Sequence, residues 1–157
     1  MRFTGNRPVP APASSVWEAL HDTDVLRAIV PGCREMAPLG AGTFAATMSA
    51  RVGPIADTYR GTFDLCDLSH GSELVVGVAA SGRCGRIAVD LRVGLIEGTR
   101  SGTTVLRYVA DATASGFVSR LGTPTLTVAG GHFTGSFFRG LERSVRRLVP
   151  AGVGVVA

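Results

Sequence analysis

Few residues in this 157-residue chain stand at spacings that suit chemistry, and Asp57 is the first of them. It lies in a stretch where Ile55, Asp57, Tyr59, Gly61, Phe63 and Leu65 fall on alternate positions, so they share one face of a strand. A carboxyl among such neighbours loses hydration, which disfavours its charge and tunes it as a general acid or base. On that reading Asp57 with Tyr59 is the candidate catalytic pair. The other reading puts Asp57 at the strand end beside Gly53-Pro54, where it meets water or an arginine. Tyr59 and Tyr108 join an apolar body to a polar tip and suit a ligand carrying a carbonyl or hydroxyl, though both also serve as ordinary core aromatics. His132 stands beside Phe133 at the flank of a helical face and belongs on a rim. His21 and His70 fall in turns. Cys84, between Gly82 and Gly85, has no nearby histidine to activate it.

The sequence holds no nucleophile-base-acid constellation, no phosphate-cradling glycine loop and no metal-ligand spacing. Cys33, Cys66 and Cys84 form neither a CxxC pair nor a disulfide framework, so no metal is expected. Activity must therefore come from a lining rather than from a reactive group.

The element that positions such a lining is the last long one, Thr123 to Leu148. Thr123 suits an N-cap and Pro124 the first helical position. Leu126, Ala129, Gly130, Phe133, Phe137, Leu141, Ser144 and Leu148 recur at threes and fours, which predicts one apolar helix face. Gly130 and Gly131 with several β-branched residues predict a softer N-terminal half. Pro150 and Gly152 close the helix.

Upstream, Met1 to Pro10 reads as a strand. Ser15 with Glu18 makes a capping box for a short helix Ala13 to Leu20, and Thr23 or Asp24 caps a second, Val25 to Val30. Six period-2 segments follow: Glu35 to Leu39, Thr43 to Val52, Ile55 to Leu68, Glu73 to Ser81, Arg86 to Glu97 and Thr103 to Ser115. Glycine-rich connections separate them, so neighbours run antiparallel. Ile87, Val89, Leu91, Val93 and Leu95 oppose Arg86, Asp90 and Arg92; Leu106, Tyr108, Ala110 and Ala112 oppose Arg107 and Asp111. The fold expected is α+β: a curved seven-stranded antiparallel sheet, two short helices after the first strand, and one long helix over the concave face without filling it. The predicted cavity is lined by Tyr59, Phe63, Val89, Leu91, Leu106 and Tyr108 from the sheet, and by Ala129, Phe133 and Phe137 from the helix.

Residues 1–150 are expected as a single domain and 151–157 as a short apolar tail. The net charge of +4 comes from arginine alone, for the chain has no lysine. Arg51, Arg60, Arg83, Arg86, Arg92, Arg100, Arg107 and Arg120 are spread thinly along strands and turns, so nucleic-acid binding is not expected. The dense group Arg139 to Arg147 beside the apolar tail would suit an anionic membrane surface, or a solvated helix end. With no signal core and no apolar run of about 20 residues, the expectation is a cytoplasmic protein, at most peripheral to a membrane.

Phe3 with Gly5, Pro10-Ala11-Pro12, Val16-Trp17, Leu20, Asp22, Val25-Leu26, Pro31-Gly32-Cys33, Val52-Gly53-Pro54, Tyr59 with Gly61, and Phe137-Phe138 resemble the CoxG family of carbon monoxide dehydrogenase subunits. That family belongs to the START-like, helix-grip (SRPBCC) superfamily, with polyketide cyclases and lipid-transfer proteins. The resemblance is dense from Met1 to Gly61 and thinner beyond. It implies a protein with no redox cofactor of its own that holds a hydrophobic, quinone-like ligand between sheet and helix. It also implies a molybdenum hydroxylase as partner, with the carrier helping to recruit that enzyme to a membrane. The chain departs from the family at Ser81-Gly82-Arg83-Cys84-Gly85-Arg86, at Ala114 to Gly122, and at Asp57, where a small or apolar residue is usual. Two alternatives follow: an enzyme of the polyketide-cyclase type using Asp57 with Tyr59 or Tyr108, and a scaffold binding a partner enzyme around Pro31 and Gly53-Pro54.

Overall fold

The computed structural model describes residues 1–148, so the tail expected at 151–157 lies outside the described residues. Seven strands form one antiparallel sheet: β1 (Arg2–Val9), β2 (Cys33–Gly40), β3 (Thr43–Val52), β4 (Ile55–Ser69), β5 (Glu73–Gly82), β6 (Gly85–Glu97) and β7 (Thr104–Ser115). Their order across the sheet is β1-β7-β6-β5-β4-β3-β2. Each strand from β2 to β7 pairs with its neighbour in sequence, and β1 closes the far edge against β7. Helices α1 (Ala13–His21) and α2 (Thr23–Ile29) bridge β1 to β2, and α3 (Thr123–Leu148) lies across the sheet. This is the helix-grip arrangement that the spacing of apolar residues predicts.

The local signals differ in part from those expected. Ser15 and Glu18 form no capping box: α1 starts at Ala13 behind Pro12, with no side-chain cap. Asp22 rather than Thr23 or Asp24 caps α2, its carboxylate accepting from the amides of Asp24 and Val25. Hydrogen bonding of α3 begins one residue early, at the Gly122 carbonyl, so Thr123 is already helical. A 3-10 turn at Phe117–Leu121, not expected from the sequence, leads into it between Gly116 and Gly122, both at positive φ.

Pro31-Gly32-Cys33 has a direct physical cause. Gly32 sits at φ 72°, and a Cβ there would collide with the Ser49 carbonyl oxygen. Only glycine lets the α2–β2 turn lie against β3, where the Ser49 amide donates to the Gly32 carbonyl at 2.9 Å.

The packed core occupies one end of the molecule. Val16 of α1, Leu26 of α2, Leu141 and Val145 of α3, and Leu74 and Leu106 of the sheet are essentially sealed. The buried side of α3 runs through Phe138, Leu141 and Val145, where Phe137 and Ser144 were expected. From Thr123 to Phe137, in contrast, no residue of α3 is fully buried.

Candidate functional site

Burial grades along each strand on a single face. On β6, Val93 and Leu95 are buried while Ile87, Val89 and Leu91 are only partly covered. On β7, Thr104 and Leu106 are buried while Tyr108, Ala110 and Ala112 are not. All these side chains point the same way, so the change marks where α3 stops packing on the sheet. Between them lies a cavity of about 990 Å³.

Its volume follows from residue size. The sheet contributes Ala46, Gly61, Ala80, Ala110 and Ala112 to the wall, and α3 contributes Ala129 and Gly130. Small residues at positions whose neighbours are large leave space that the backbone cannot close. Phe133 lines the space and still exposes 41% of its surface, so no side chain covers it. At the core end Tyr108 and Phe138 stack at 5.2 Å, Phe138 and Phe137 meet edge-on at 5.4 Å, and Arg7 caps the Phe138 ring at 5.2 Å. Helix α3 approaches β1 at Gly130, where a Cβ would come 2.5 Å from the Phe3 ring.

The sequence-predicted lining residues come together here. Tyr59, Phe63, Val89, Leu91, Leu106 and Tyr108 lie in the wall, as do Ala129, Phe133 and Phe137. His132 also borders the space, exposed on the helix flank. Met48, Leu126 and Val52 line it too. Alternation and helical spacing signal these three, but the same pattern fits ordinary core, and the sequence alone did not single them out.

Asp57 is the exception. It does not border the cavity, and no aspartate or glutamate among the described residues does. Its carboxylate turns to the hairpin end, where it accepts from the Cys84 amide at 2.9 Å and from its neighbour Thr58 at 2.8 Å. The Cys84 bond foremost, opposed by some burial, holds the carboxyl below the usual carboxylate range. A cavity acid would instead be pushed up, so this group stays ionised and occupied. The strand-end placement is the one observed, although the partners are amides rather than water or an arginine.

Tyr59 is 3% exposed and its hydroxyl finds no hydrogen-bond partner. Burial first, then the charge of Asp57 and the nearby Cys84, push its phenol up, so it remains a proton donor. Cys33, Cys66 and Cys84 are free thiols, and burial pushes the Cys33 thiol up, away from nucleophilic chemistry. No group of three or more His, Cys, Asp or Glu side chains that would hold a metal forms among the described residues. His21 is held between the Trp17 carbonyl at 2.7 Å and Asp67 at 2.8 Å, on the outside of α1. No helix among the described residues is long and apolar enough to cross a membrane.

Comparison with known proteins agrees with this geometry. The chain superposes on a conserved protein from Geobacillus kaustophilus with a TM-score of 0.88 at 18% identity, covering 94% of this chain and 96% of that one. A START superfamily protein from Mycobacterium smegmatis gives 0.74 at 11% identity, covering 94% and 99%. The Zhui aromatase/cyclase from Streptomyces gives 0.71 at 16% identity, covering 97% of each chain. At these identities the likeness is one of fold, and the fold is START-like. A search of curated proteins found no match. The family model for CoxG, a carbon monoxide dehydrogenase subunit, matches residues 5–145, nearly the whole described chain. The protein therefore belongs to the CoxG family of carbon monoxide dehydrogenase subunits.

Proposed function

We propose that this protein is a carrier for a hydrophobic, quinone-like small molecule held between α3 and the sheet, in the service of a molybdenum hydroxylase such as carbon monoxide dehydrogenase. The observation that carries the reading is the cavity itself: about 990 Å³, walled by aliphatic and aromatic side chains, with no carboxylate among its lining residues. An apolar ligand entering it would remove that surface from water, worth about 25 cal/mol for each Å². Pre-formed apolar spaces with a few polar tips are the usual form of small-molecule sites. The tips here are Tyr59 and Tyr108. The family description supplies the association with carbon monoxide dehydrogenase. The exposed arginines Arg139, Arg143, Arg146 and Arg147 would place the loaded protein near an anionic membrane surface, the reservoir of such ligands.

Titration of the full chain with 2-methyl-1,4-naphthoquinone tests the proposal. One equivalent is expected to bind, and Ala110→Trp, which fills the wall opposite α3, is expected to abolish uptake while the protein stays folded. No uptake by the unaltered protein up to the solubility limit of the quinone refutes it. The alternative of a polyketide cyclase-like enzyme acting on a lipophilic carbonyl substrate would need a proton-transfer group at the cavity, and the bonds that Asp57 makes to the hairpin amides leave that role to the tyrosines alone.

A further inference from the structure

The opposite face of the β3–β4 hairpin carries a second, unlike space. Thr47, Ser49 and Arg51 point outward from β3, and the register sets Ser49 against Thr58 and Thr47 against Arg60. Arg34 comes from β2 and Arg83 from the β5–β6 turn, and together they line a cleft of about 830 Å³. None of Arg34, Arg51, Arg60 and Arg83 forms an ion pair or a side-chain hydrogen bond among the described residues; the ion pairs lie elsewhere, at Arg2, His21, Arg27 and Arg92. Two carboxylates border the cleft, Glu35 and Asp57. Asp57 is already engaged by the Thr58 and Cys84 amides. Four guanidinium groups therefore face one free carboxylate, and the Ser49 hydroxyl is buried with no partner.

The cleft is continuous with the apolar cavity. Ser49, Ala50 and Arg51 line both. The sheet allows this because β2 pairs with β3 only as far as Cys33 against Met48, and the Gly32 carbonyl takes the last bond from Ser49. Beyond Ser49 the edge of β3 has no neighbouring strand among the described residues, so a molecule can round it from one face to the other.

We propose that cavity and cleft form one site for an amphiphile bearing an oxyanion head, with its apolar body under α3 and its carboxylate or phosphate on the arginine cleft. The inference rests on the carrier reading for the apolar half and goes beyond it in the class of ligand. An oxyanion drawn into the cavity alone would lose its hydration without compensation. On the cleft the same head meets guanidinium forks, whose geometry matches carboxylate and phosphate.

The test compares the binding of dodecanol, dodecyl phosphate and inorganic pyrophosphate to the full chain, and repeats it with the double variant Arg34→Gln/Arg60→Gln. Both substituted residues line only the cleft, so the apolar cavity keeps its walls. Dodecyl phosphate is expected to bind at least about tenfold tighter than dodecanol, a gain of about 1.4 kcal/mol, and raised salt should shrink the advantage. In the double variant the advantage should fall to about twofold with dodecanol affinity unchanged. Dodecanol bound as tightly as its phosphate, or an advantage that survives in the double variant, overturns the inference and leaves the carrier reading intact. Pyrophosphate that binds without competing with dodecyl phosphate also overturns it, by showing a separate anion site. Failure of both alkyl ligands to bind removes the carrier reading with it.

Discussion

Asp57 and Cys84 are 27 residues apart in sequence, yet the Asp57 carboxylate accepts the Cys84 amide at 2.9 Å, tying the base of the β3–β4 hairpin to the β5–β6 turn. The bond explains why an acidic residue stands on the apolar parity of β4 without entering the cavity. It also accounts for Gly82, where a Cβ would come 2.5 Å from the same carboxylate.

That tie makes stability depend on pH in a stated direction. The folded carboxyl titrates below its unfolded value of about 3.9, so its contribution is complete above that value and is lost as pH falls through the lowered folded one. Asp57→Asn should therefore be less stable than the unaltered protein at neutral pH, and the gap should close in acid. Urea midpoints measured from pH 7 downward check this, and a gap that stays constant with pH contradicts it.

Adjacent glycines in α3 should respond in opposite ways. A Cβ on Gly131 meets nothing within 4 Å, so Gly131→Ala should gain about 0.5–1 kcal/mol from helix propensity. A Cβ on Gly130 would come 2.5 Å from the Phe3 ring, a clash costing about 1–3 kcal/mol that outweighs the same gain. Thermal unfolding of the two variants is the measurement, and equal shifts would mean that α3 does not lie on β1 as described.

The two ends of α3 should separate stability from binding. Leu141 is fully buried in the core, and Leu141→Ala should cost about 2–5 kcal/mol. Phe133 lines the cavity with much of its surface uncovered, so Phe133→Ala should cost well under about 2 kcal/mol while weakening ligand uptake. Denaturant titration beside quinone titration distinguishes them, and a Phe133 variant as unstable as the Leu141 one would mean the cavity is packed shut.

Periodicity made most of this architecture legible. The bounds of β3 and α3, and the inward sets of β6 and β7, follow from alternation and helical spacing with little local ambiguity. What stayed hidden depends on contacts distant in sequence. Parity placed Asp57 beside Tyr59 on the inner face, and only the approach of the Cys84 amide turns it away. Ser15 and Glu18 have the spacing of a capping box, but α1 begins at Ala13, before Ser15 can act as cap. The shift from Phe137 to Phe138 as the buried aromatic reflects its stacking on Tyr108, which spacing within the helix cannot show. Nor could alternation reveal that β3 runs unpaired past Ser49, since that depends on where β2 begins.

The central claim is an apolar space large enough to hold a ligand, and native mass spectrometry of the freshly purified full chain tests it most directly. The account predicts a species heavier than the 16.2 kDa chain by one apolar molecule. Organic extraction should remove that molecule, and an added naphthoquinone should replace it and raise the unfolding temperature. A protein that always appears at its bare mass, and gains neither mass nor thermal stability from any quinone or alkyl ligand, would contradict the account.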